Sequence, residues 1–103
     1  MKTYHFIIKG EVQGVGYRIT AYLNATRLGV NGTVKNLSND NVEVFAQGDE
    51  NLIDNFRKYL KMGSSMSRVD EIEENVLDRA KFEDFKVIYW LERRKKELSP
   101  FII

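Results

Sequence analysis

Three glycines, Gly10, Gly14 and Gly16, stand between two stretches of different periodicity near the start of this chain. Before them, residues 3–9 alternate: Tyr4, Phe6 and Ile8 fall on one side and His5, Ile7 and Lys9 on the other, which is the period of a strand. After them, Ile19, Tyr22, Leu23 and Thr26 recur at helical spacing, and Gly29 supplies a helix stop. A strand that reaches a helix through several glycines can curl tightly at positive φ. Such a curl turns successive N–H groups inward, and the helix adds its unpaired first-turn donors and the positive end of its dipole. Arg18, at the helix start, offers a planar fork that can grip two phosphoryl oxygens together. On spacing alone, a plain strand-to-helix turn carrying a surface arginine fits equally well.

The rest of the chain extends the pattern. Residues 30–37 and 41–47 read as strands, with Val30, Gly32 and Val34 alternating on one and Val42, Val44 and Ala46 on the other. Asn39-Asp40 between them suits a tight hairpin, because both residue types tolerate the left-handed region. Asp49 is placed to cap a second helix, Glu50 complements its dipole, Leu52, Ile53, Phe56, Tyr59 and Leu60 form its apolar face, and Gly63 ends it. A fourth strand is expected over roughly 67–76, with the step from Val69 to Ile72 marking a bulge. Phe85, Val87 and Tyr89 alternate in a last short strand. The order β-α-β-β-α-β plus one short strand predicts an α+β, ferredoxin-like split βαβ sandwich, with two helices on one face of an antiparallel sheet. Residues 1–90 make one domain and 91–103 a charged C-terminal extension.

Composition narrows the function classes. The formal net charge is +1, so no global field draws the chain to nucleic acid or membrane, and any anion must be held by local groups. There is no cysteine, which rules out thiolate chemistry and disulfides, and the single histidine, His5, has no partner set for a transition metal. The expected role of His5 is structural or at the surface. The acidic run Asp70, Glu71, Glu73, Glu74 reads as a solvated strand face, and Ser64, Ser65 and Ser67 have no local histidine that would make a nucleophile. The glycine order matches neither the nucleotide P-loop nor the dinucleotide fingerprint. No stretch approaches the ~20 apolar residues of a membrane span and no leader pattern opens the chain, so a cytoplasmic protein is expected.

Gly10-x-Val12-Gln13-Gly14-Val15-x-Tyr17-Arg18 closely resembles the first signature of the acylphosphatase family, and Gly32-Thr33-Val34-Lys35-Asn36 resembles the second, followed at the family's distance by Val42-Glu43-Val44. The resemblance covers roughly residues 3–90 in the element order read above. It implies hydrolysis of the carboxyl–phosphate anhydride of a small-molecule acyl phosphate, with no cofactor and no metal. Arg18 and Asn36 would be the catalytic residues: Arg18 binds the phosphate and Asn36 holds the attacking water. The loop backbone of Gln13, Gly14, Val15, Gly16 and Tyr17 would cradle the phosphate beside Arg18, and inorganic phosphate or sulfate would compete for the place. Two departures from the family pattern are Thr33, where an aromatic is usual, and Asp40, where a turn glycine is usual. A third is the extension 91–103.

An acyl phosphate is an activated anhydride whose carboxylate leaves with little protonation. The protein must therefore align a water and neutralise the equatorial oxygens rather than supply a strong base. The competing reading is a non-catalytic ferredoxin-like phosphate- or RNA-binding module. An RNA reader of this topology would expose stacking aromatics on its sheet, and Phe45 alone is poor support. A domain that binds phosphate without turnover is a second alternative, against which both Arg18 and Asn36 are present. A monomer without nucleic-acid or membrane partners is expected. Phe101, Ile102 and Ile103 are expected to dock the chain end away from the glycine loop.

Overall fold

The structure is a computed structural model and describes residues 1–89. Its elements are β1 (Lys2–Glu11), α1 (Tyr17–Leu28), β2 (Asn31–Asn36), β3 (Val42–Gln47), α2 (Glu50–Met62), β4 (Arg68–Asp78) and β5 (Phe85–Ile88). The five strands form one sheet in the order β4-β1-β3-β2-β5. The expected fold class is found: two helices lie on one face of the sheet. Three of its pairings are antiparallel, as read from the sequence, but β5 runs parallel to β2. The cause is the route of the chain. It leaves β4 at one edge, and residues 79–84 cross the end of the sheet, where the Gln47 side chain donates to the Ala80 carbonyl and accepts from the Phe82 N–H. The Gly32 N–H donates to the Asp84 carbonyl, and a strand entering from that end can only run in the direction of β2.

The alternation in the strands sets the core. Phe6, Val44, Val34 and Val87 form one rung across β1, β3, β2 and β5, all on the helix-facing side. Tyr4, Ile8, Val42 and Ala46 join them, and Ile53, Phe56 and Leu60 come down from α2. Fully burying one such side chain is worth roughly 1.5–3 kcal/mol. Tyr4 and Phe6 are 3% and 1% exposed beneath the helices, so neither can stack on a base. His5 lies on the opposite side of β1, where it stacks on Phe45 and meets Glu43 at 2.9 Å, a structural role as expected.

The apolar face read for α1 is corrected. Tyr17, Ala21 and Ala25 are its buried residues, whereas Ile19 and Leu23 are 46% and 59% exposed and Thr26 is also exposed. The helix begins one residue before Arg18, and Tyr17 reaches under α2 to donate its hydroxyl to the Leu60 carbonyl at 2.6 Å. That anchor turns the helix so that its two alanines, small enough for close approach, meet the sheet. Burial pushes the Tyr17 hydroxyl pKa upward, so the group stays a neutral donor.

The expected bulge lies on β4. Lys9 pairs with Glu71 and Gly10 with Val69, which leaves Asp70 without a partner on β1. Gly10 has φ +136°, and a Cβ there would lie 2.1 Å from the Arg68 carbonyl oxygen, so only glycine permits this approach. The acidic residues of β4 are all exposed, as read from the sequence, and Glu74 forms a two-pronged pair with Arg57 of α2 at 2.8 Å.

Candidate active site

The glycine loop lies between the end of β1 and α1, beside the end of β2. Val12 is buried and anchors it, while Gly14 and Gly16 take φ of 73° and 79°. Gly16 is the N-cap residue of α1 and has no side chain to accept from the first turn, and that turn contains no acid. The positive end of the α1 dipole therefore faces the loop, with no anion of its own first turn against it.

Two side chains hold the loop in shape. Gln13 donates through Nε2 to the carbonyls of Leu37 and Asn41, at 2.8 and 2.7 Å, and so fastens the loop to the β2–β3 hairpin. Ser64, in the turn after α2, donates to the Val15 carbonyl at 2.6 Å. The Ser64 bond also occupies a loop carbonyl, an acceptor that would repel a nearby anion.

Arg18 and Asn36 line one cleft of about 120 Å³ together with Val12, Gly14, Gly16, Tyr17, Ile19, Val87 and Tyr89. Arg18 donates from Nη1 to the Ile88 carbonyl at 3.2 Å, and its guanidinium lies 5.1 Å from the centre of the Tyr89 ring. The end of β5 thus fixes the arginine, and no other hydrogen bond engages its fork among the described residues. Asn36 is the last residue of β2, and its Oδ1 is buried with no hydrogen-bond partner among the described residues. Such an orphaned acceptor costs about 1–3 kcal/mol unless something donates to it. The cleft is several times the ~30 Å³ share of one water and well below the ~300–1,000 Å³ of a site for a drug-sized ligand. It suits a phosphate-sized anion with the remainder of its molecule outside.

All the residues read from the sequence lie at this loop and cleft, with Gln13 and Val15 on the loop outside the cleft lining. Sequence reasoning missed Ser64, Ile19, Val87, Ile88 and Tyr89. Nothing local marks Ser64. The alternation of Phe85, Val87 and Tyr89 was the available signal for Tyr89, which directly follows β5. Among the described residues no group of three His, Cys, Asp or Glu side chains is set to hold a metal, and no helix is long and apolar enough to cross a membrane.

The acylphosphatase family profile matches residues 4–87. The chain belongs to the acylphosphatase family. It is 42% identical to the acylphosphatase of Caldanaerobacter subterraneus subsp. tengcongensis over 87 residues, which are 84% of this chain and 97% of that one. It is also 42% identical to the Lactobacillus gasseri acylphosphatase, covering 86% of this chain and all of the other. The crystal structure of the Bacillus subtilis acylphosphatase superposes with a TM-score of 0.83 at 33% identity, over 86% of this chain and all of that one. The chain is accordingly an enzyme of the acylphosphatase type. Its departures from the family pattern have clear places. Asp40 adopts φ 72°, the left-handed conformation a glycine would take, so the hairpin is kept. Thr33 pairs with Phe45 on the sheet face away from the helices, opposite to the side of Asn36. The extension from 91, with its expected docking, lies outside the described residues.

Proposed function

We propose that this acylphosphatase hydrolyses small acyl phosphates without a metal, with Arg18 and the loop backbone holding the phosphate and Asn36 orienting the water. The observation that carries this reading is the buried, unpartnered Oδ1 of Asn36 in the same cleft as the Arg18 guanidinium. A water donating to Oδ1 is directed toward a phosphorus held by the arginine. As water attacks, the phosphorus–oxygen bond to the acyl group breaks and the carboxylate leaves with its electron pair. A phosphate oxygen takes the water's proton, so the products are a carboxylate and inorganic phosphate. Asn36 cannot act as a base, and so good a leaving group does not require one. The Arg18 fork, the loop N–H groups and the α1 dipole stabilise charge on the equatorial oxygens throughout.

Hydrolysis of benzoyl phosphate tests the division of labour. Arg18→Ala should lower kcat/KM on the order of 10²–10³-fold, and Arg18→Lys should rescue little because it lacks the fork. Asn36→Ala should lower kcat while the affinity for inorganic phosphate, measured by competition, stays near that of the wild type. Equal losses of turnover and phosphate affinity would make Asn36 a phosphate ligand instead. Chelators should leave activity intact, and phosphate or sulfate should raise Tm by binding the folded state.

A further inference from the structure

Ile19 and Tyr89 are 46% and 70% exposed, so each leaves apolar surface open to solvent. Both line the cleft that holds Arg18 and Asn36, and Val12 and Val87 continue the same apolar wall. Ile19 follows directly on Arg18 in the first turn of α1, and Tyr89 lies against the arginine from the other side. The anion end of the cleft is thus flanked by an apolar rim contributed by α1 and β5. Arg18 is the sole charged side chain lining the cleft among the described residues. A second negative charge on the substrate would find no cation in that lining, and a charged acyl group would lose hydration against the rim.

We infer that Ile19 and Tyr89 form the acyl subsite and select uncharged, apolar or aromatic acyl groups over small or anionic ones. This rests on the reading that Arg18 and Asn36 act on acyl phosphates. The phosphate end is common to all such substrates, so discrimination has to arise where the acyl chain emerges, and these two side chains stand there. Because the rim is half open to solvent, its selectivity is smaller than the 10–200-fold that a closed pocket derives from a single methylene.

The test compares kcat/KM for benzoyl, acetyl and succinyl phosphate in the wild type, in Ile19→Ser and in Leu23→Ser. Leu23 is exposed one turn further along α1 and outside the cleft lining, so it controls for loss of an apolar residue from the helix. Ile19→Ser should lower the benzoyl-to-acetyl ratio about 3–10-fold, and Leu23→Ser should leave that ratio as it is. Succinyl phosphate should be the poorest of the three. Tyr89→Ser should lower the ratio as well, with an added loss on every substrate because Arg18 is released. A readout free of turnover is inhibition: benzylphosphonate should bind more tightly than methylphosphonate to the wild type and lose that margin in Ile19→Ser. If all three substrates are hydrolysed and the ratio is the same in Ile19→Ser as in the wild type, the acyl subsite is wrong and the proposed reaction stands. If none is hydrolysed, the proposed reaction itself falls, and this inference with it.

Discussion

The β1–α1 and β3–α2 junctions both lead from a central strand into a helix on the same face of the sheet, yet the helix starts differ in every detail that concerns charge. At α2, Asp49 accepts the Leu52 N–H at 3.0 Å and Glu50 stands in the first turn, so the helix supplies its own anions. At α1, a glycine in the left-handed region occupies the cap, no side chain among the described residues accepts from the first turn, and that turn contains no acid. A glycine in place of a side-chain cap forgoes roughly a few tenths of a kcal/mol. One junction is closed on itself; the other leaves its first-turn donors without a side-chain acceptor among the described residues, free for the phosphate proposed above. Composition cannot separate them, since both helices sit in one nearly neutral chain.

The largest expected effect comes from making the open junction resemble the closed one. Gly16→Asp puts a carboxylate at the α1 cap. A Cβ at Gly16 has room, with Ile19 Cγ2 its nearest neighbour at 4.0 Å, so the change acts through charge and through the φ of 79° rather than through a clash. Turnover of benzoyl phosphate should fall on the order of 10²-fold. Gly16→Asn shares the tolerance for left-handed backbone without the charge and should lose less. Equal losses in the two variants would show that backbone strain, not the anion, separates the junctions.

A middle-sized effect is expected at the closed junction. Asp49→Ala should cost about 1 kcal/mol, or about 4–8 °C in Tm for a domain of this size, with kcat unchanged. A fall in kcat comparable to that of the Asn36 variant would mean that α2 takes part in the reaction. The smallest effect concerns Glu50, whose carboxyl is held below the usual range by its hydrogen bond from Lys2 and then by that from the Tyr4 hydroxyl. A depressed folded pKa contributes stability above the unfolded carboxylate range, and that contribution is lost as pH falls through the folded value. Wild-type Tm should therefore drop more steeply than that of Glu50→Gln in the acid range, and parallel curves would remove the pair from the account. Because the pair is exposed, the difference is small.

These contrasts also explain what could be read in advance. The closed junction was legible because Asp49, Glu50 and the apolar face of α2 are local signals; the helix holds the bounds they imply and buries Ile53, Phe56 and Leu60, with Leu52 and Tyr59 half-buried. The loop was legible through its glycines and through Arg18 and Asn36, which two short motifs carry. The face of α1 was misread because it is decided by Tyr17, whose partner Leu60 lies far along the chain. The direction of β5 depends on the crossing of residues 79–84, and the hold on Val15 depends on Ser64. Each is a long-range contact with no periodicity of its own.

The Gln13 side chain gives these static contacts a kinetic meaning. Because it bonds Leu37 and Asn41 at once, the glycine loop and the hairpin that carries Asn36 are expected to open as one unit. Amides of the loop and of the hairpin turn should then exchange with solvent at matched rates. The two halves of the cleft would fluctuate in concert, so a substrate meets a site either wholly assembled or wholly open.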